Sequence, residues 1–138
     1  MTDLNELLSA TGAVTIPLEN PFTFEPVLGP DGLPATVTAW GPDSAVMRDV
    51  EKQITTEMTD TAIRARGRQP KYDQEKYNRR RFLARIDSWD NLVLNGQPFL
   101  YDAANKARLY DDPDLGRIRE MFINATTDNE AFLAKKAT

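Results

Sequence analysis

Apolar positions along the chain change their period twice, and the changes mark out its expected parts. Leu4, Leu7 and Leu8 recur at three- and four-residue spacing and predict a short helix within residues 1–10, capped near Thr2 or Asp3. From Val14 to Trp40, β-branched and aromatic residues alternate with prolines at 17, 21, 26, 30 and 34. This composition predicts strands at Phe22–Phe24 and Thr36–Trp40, with Gly29-Pro30-Asp31-Gly32 as the turn between them. The prolines restrict such strands to a loose hairpin or to sheet edges.

After Gly41-Pro42-Asp43-Ser44 the period lengthens to that of a helix. Asp43 or Ser44 is the expected N-cap, and Val46, Val50, Ile54 and Met58, with Met47 beside them, form the buried stripe. Gly67 and Pro70 stop this helix near Arg66. A second long helix is predicted from Asp73 to Trp89, because Phe82, Leu83, Ile86 and Trp89 share one helical face. Asn95-Gly96 is a tight-turn pair. Asp102 caps a helix through Leu109, Asp112-Pro113 opens another through Phe122, and Asp128 caps a last turn carrying Phe132 and Leu133 before Lys135 and Lys136. The expected fold is therefore mainly α: a small helical domain with a short N-terminal β-hairpin. Residues 1–40 hold the short helix and hairpin, and residues 41–138 hold a helical core.

Composition narrows the chemistry. The 138 residues include no cysteine and no histidine, which removes disulfides, zinc sites and imidazole or thiolate catalysis. No window has the length of a membrane span and no signal peptide precedes the first element, so a soluble, unprocessed protein is expected. Charge is segregated. Residues 64–85 carry nine basic and two acidic side chains, a net +7, whereas the rest of the chain carries eight basic and nineteen acidic, a net −11. Such asymmetry implies either a charged partner or pairing of the protein's own basic and acidic surfaces.

Two segments together resemble the tail assembly chaperones of long-tailed, siphovirus-like phages. The first is Gly41-Pro42-Asp43-Ser44 with the Arg48-containing helix. The second runs through Trp89, Asn95-Gly96-Gln97-Pro98-Phe99, Asn105, Leu109, Asp112-Pro113, Ile118-Arg119, Phe122-Ile123, Asn129 and Phe132-Leu133. The resemblance covers roughly residues 35–134 and rests on the order of the motifs, since each alone is a set of caps and turns. It implies a helical, non-catalytic protein that binds the tape measure protein, keeps its long helices soluble, and supports tail tube assembly. The tail tube protein is a further partner, and self-association is expected. The resemblance also implies residence in the host cytoplasm and absence from the mature virion.

The expected partner-binding residues are Arg64, Arg66, Arg68, Arg80, Arg81 and Arg85 from the basic block, with Phe122 and Phe132 from an apolar groove on the C-terminal helices. The alternatives are a small nucleic-acid-associated phage protein using residues 64–85, and a minor tail or head–tail component that stays in the virion. Nucleic acid is disfavoured, because Tyr77, Phe82 and Trp89 fall on the inward face and the protein is acidic overall. Asp111-Asp112-Pro113-Asp114 lacks the spaced ladder of a calcium loop and reads as helix capping. Asp87 and Asp90 are a weak candidate acid–base pair, no cofactor or metal is implied, and no enzyme is expected.

Overall fold

The computed structural model describes residues 3–133. It corrects the expected fold class: of the described residues 48% are helical and 19% strand, a mixed α/β architecture built around a sheet. Strands β1 (Ala13–Pro17), β2 (Thr36–Trp40) and β3 (Ile86–Asp90) form an antiparallel sheet in the order β1-β2-β3. Helices α1 (Ala45–Arg64) and α2 (Gln74–Arg85) lie between β2 and β3 in sequence. After β3 come a small hairpin of β4 (Val93–Leu94) and β5 (Gln97–Pro98), then α3 (Ala103–Asp111) and α4 (Gly116–Thr126). Three short 3₁₀ turns complete the described elements, at Leu4–Leu7, Pro113–Leu115 and Asn129–Phe132.

The expected helix from Asp73 to Trp89 is two elements. α2 starts at the Asp73 cap, whose carboxylate accepts from the Lys76 amide at 3.0 Å, but the backbone turns extended at Ile86 and runs straight into β3. A β-bulge accounts for the misleading periodicity. Thr38 pairs with Ser88 and Ala39 with Ile86, so Asp87 is an extra residue opposite the Thr38/Ala39 step. The bulge puts Ile86 and Trp89, three apart, on the same sheet face, a spacing that otherwise indicates a helix.

The N-terminal hairpin is also re-paired. β2 lies where the sequence places it, but its partner is Ala13–Pro17, with Val14 opposite Ala39 and Ile16 opposite Val37. Phe22–Phe24 is not a strand, because Asn20 captures the Phe22 and Thr23 amides at 2.8 and 3.2 Å and bends the chain. The turn at Gly29–Gly32 forms as expected, with Gly32 at φ +78. Pro17 ends the edge strand, where its missing N–H leaves no ladder bond unmade. The N-terminal helix is reduced to the Leu4–Leu7 turn, capped by Asp3. Lys135 and Lys136 lie outside the described residues.

One sheet face is polar, with the Thr15 and Thr38 hydroxyls 3.0 Å apart. The other carries Val14, Ile16, Val37, Ala39, Ile86 and Trp89 into the main core, which α2 and α4 cover. Phe122 of α4 is wholly buried there, and Trp89 meets it edge-on at 5.4 Å while stacking on Phe99 at 5.3 Å. The Trp89 indole N–H donates to the Phe99 carbonyl at 2.7 Å, so its polar edge is satisfied inside the core. α1 packs chiefly on α2 through a second, smaller cluster of Val50, Ile54 and Tyr77, with Met58, Tyr72 and Ala84 half-buried around it.

Candidate interaction surface

The basic block divides according to what its side chains meet. Arg79, Arg80 and Arg81 are successive on α2, so they point about 100° apart and reach different elements. Arg79 forks Asp111 at the end of α3, with Nε and Nη2 donating at 2.9 and 2.8 Å. Arg80 forks Glu57 of α1 at 2.8 and 3.0 Å, and Arg81 forks Glu51, nearly two turns earlier in α1, at 2.6 and 3.2 Å. Each pair is bidentate, the strongest geometry open to a guanidinium and a carboxylate. The hydrogen bond to Arg79 holds the Asp111 carboxyl below its ordinary range, and that to Arg80 does the same for Glu57. Arg80 and Arg81, expected at a partner surface, thus clamp α2 to α1 within the chain.

Arg64, Arg66 and Arg68 remain exposed at the far end of α1, around a shallow hollow. The chain reverses there through Arg66 at φ +52 and Gly67 at φ +83. Ile63, 68% exposed, and the half-buried Met58 and Tyr72 give this tip an apolar side. Its three arginines make no ion pair with a described residue, and their charges stay open to a partner.

Arg85 stands apart from both groups. It is half-buried at the end of α2 and has no hydrogen bond or ion pair to any described residue. Desolvation pushes its guanidinium below the ordinary value, Arg81 adds to this by repulsion, and Glu51 opposes it. Arg85 shares a cavity of about 350 Å³ with Arg81, Arg119, Glu75 and Tyr110. Arg119 was not among the expected site residues; its i+4 relation to Ile123 on α4 places the two on one face, but only the fold brings that face to α2.

Phe122 and Phe132, expected to line a groove, are core residues with 0% and 2% exposure. Phe132 packs against Gly41, where a Cβ would stand 3.0 Å from its ring. The Gly41 carbonyl accepts from the Ser44 hydroxyl at 2.7 Å, and that hydroxyl accepts the Met47 amide at 3.2 Å to cap α1. The Gly41–Ser44 motif is therefore a joint between the sheet, α1 and the C-terminal turn. Apolar surface lies elsewhere. Of the eleven exposed large hydrophobic side chains among the described residues, seven fall between Leu4 and Leu33. Phe24 is held there at φ +60, a left-handed conformation that costs a bulky residue free energy. Phe24, with Ile16, Pro17, Met121 and Ala125, lines a cleft of about 560 Å³ between this loop and α4.

The acidic candidates have local explanations. Asp112 accepts from the Asp114 amide and caps the turn before α4, while Asp111 takes Arg79. Among the described residues no acidic cluster is arranged to hold a metal ion. No helix among them is long and apolar enough to cross a membrane. No family model, curated protein or solved structure matches the chain.

Proposed function

We propose that the protein is a tail assembly chaperone of a long-tailed phage or prophage, a binding protein and not an enzyme. It holds the tape measure protein soluble in the host cytoplasm while the tail tube assembles around it, and it is absent from the finished virion. The observation that carries this reading is the division of labour between core and surface. The motifs of the resemblance, from Gly41 to Leu133, make the joints of one packed unit, as Ser44, Trp89 and Asn105 illustrate. Apolar side chains at Leu4, Leu7, Leu8, Phe22, Phe24, Leu28 and Leu33 are left outside that unit. A protein that shields amphipathic helices requires apolar surface of this kind, together with charge to steer encounter. Arg64, Arg66 and Arg68 supply the charge, and the same surfaces support self-association.

The mixed α/β fold changes the expected docking mode, since Phe122 and Phe132 are taken into the core and the partner's helices find apolar surface at the N-terminal segment and the α1 tip. Co-expression with the longest helical protein encoded nearby tests the reading. A soluble complex that survives affinity purification is expected, and the absence of that complex in every combination of tags overturns it. The exposed Arg64, Arg66 and Arg68 also favour a second reading, phosphate binding. Retention of nucleic acid that collapses as salt rises would support that reading instead.

A further inference from the structure

The cavity enclosed by α2, α3 and α4 carries a charge imbalance that packing alone does not explain. Arg81, Arg85 and Arg119 line it, against Glu75 on its wall and Glu51 behind Arg81. Glu51 takes both donors of Arg81 that face it, and Glu75 accepts the Tyr110 hydroxyl at 2.7 Å. Arg119 donates Nη1 to the Tyr110 carbonyl at 2.8 Å and lies 5.0 Å over the Tyr110 ring. Three guanidiniums face two carboxylates, and Arg85 is the cation left without an acceptor. Partial burial of an uncompensated charge is unfavourable, and a methionine or glutamine would occupy the position at lower cost. Arg85 also lines the neighbouring hollow with Met47, Glu51, Thr126 and Asn129, so it borders open space on two sides, and Glu51, already forked by Arg81, attracts it without accepting a hydrogen bond from it.

We propose that this cavity is a docking site for one carboxylate, presented by an Asp or Glu on an amphipathic helix of a protein partner. Arginine's planar fork matches a carboxylate, as Arg79, Arg80 and Arg81 already show within the chain. One excess positive charge matches one acidic side chain. A nucleic-acid strand would present a row of phosphates and would need several uncompensated cations along its path, and Glu75 would repel it. Ile123 beside the arginines gives the apolar flank of a partner helix a surface to cover. The site supplies the chemistry of one partner contact and so rests on the chaperone reading, but its test uses a synthetic peptide. Failure to bind the tape measure protein would therefore leave the site itself standing.

The test follows the arginine side-chain Nε–Hε resonances of the full chain by NMR during titration with a helical amphipathic peptide carrying a single glutamate, its glutamine counterpart, inorganic phosphate, and a single-stranded oligonucleotide. The glutamate peptide should shift the Arg85 and Arg119 resonances saturably, and the glutamine peptide should bind about tenfold more weakly. Arg85→Gln should weaken the glutamate peptide by a similar factor. Arg85→Met should leave the thermal midpoint unchanged or raised, as expected of a cation kept for a ligand. The proposal is overturned if the two peptides bind equally or neither shifts Arg85. It is equally overturned if the oligonucleotide or phosphate shifts Arg85 where the glutamate peptide does not, or if Arg85→Met lowers the midpoint as loss of a packing residue would.

Discussion

Tyr110 connects groups from three helices that no local sequence pattern relates. Its ring meets Phe82 of α2 at 5.1 Å and lies beneath Arg119 of α4, while its hydroxyl reaches Glu75. Burial first, and the hydrogen bond to Glu75 second, push its ionisation up to about 12 from an ordinary 10.0. The folded state thus favours the neutral phenol. Its contribution to stability is complete below pH 10.0 and is lost as pH rises through about 12. Tyr110→Phe should abolish the latest step in the ultraviolet titration of tyrosinate and lessen the alkaline loss of stability; an unchanged titration would contradict this assignment. At this scale the sequence was most legible where interactions are local. Ser44, Asp73, Asp102, Asp112 and Asp128 all cap the turns for which their positions suited them. The partners of Arg79, Arg80 and Arg81 were not legible, because Asp111, Glu57 and Glu51 lie 32, 23 and 30 residues away.

Among the helices, α1 depends most on a single neighbour. Its 20 residues span about 30 Å at 1.5 Å per residue, yet only Met47, Val50 and Ile54 are buried along it. Ile54→Ala should cost about 2–4 kcal/mol in chemical denaturation, since the side chain is 1% exposed at the centre of the α1–α2 cluster. Ile63→Ala, about two and a half turns further toward the tip, should stay within about 0.5 kcal/mol. Equal losses at the two sites would mean that the tip of α1 is packed after all. The existence of α1, α2, α3 and α4 followed from periodicity, and the starts of the first three from their caps, whereas Asp112-Pro113 opens a 3₁₀ turn and α4 begins only at Gly116. β3 did not, because Arg85-Ile86 has neither glycine nor proline to stop a helix and the Asp87 bulge gives Ile86 and Trp89 a helical spacing. The partner of β2 was missed for a related reason: Phe22-Thr23-Phe24 has strand composition, but the Asn20 side chain commits it to a turn.

Taken as a whole, the molecule meets part of its charge asymmetry internally. Three cations of the +7 stretch pair with Asp111, Glu57 and Glu51 of the acidic remainder, drawing α2 against α1 and α3. What remains for partners is smaller and better placed: the exposed arginines of the α1 tip, the cavity beneath Arg85, and the apolar side chains of the N-terminal third. That N-terminal surface was not legible from the sequence, since Leu4, Phe22 and Leu28 are residue types that ordinarily fill a core and only the fold leaves them outside. The converse holds for Phe122 and Phe132, which the sheet draws inward. The most direct test of a chaperone role is light scattering from denatured tape measure protein diluted into buffer with and without stoichiometric amounts of this chain. Scattering should be suppressed by the wild-type protein, and suppression should weaken when Phe22, Phe24 and Leu28 are replaced together by serine. Scattering that is the same with and without the wild-type protein would contradict the role.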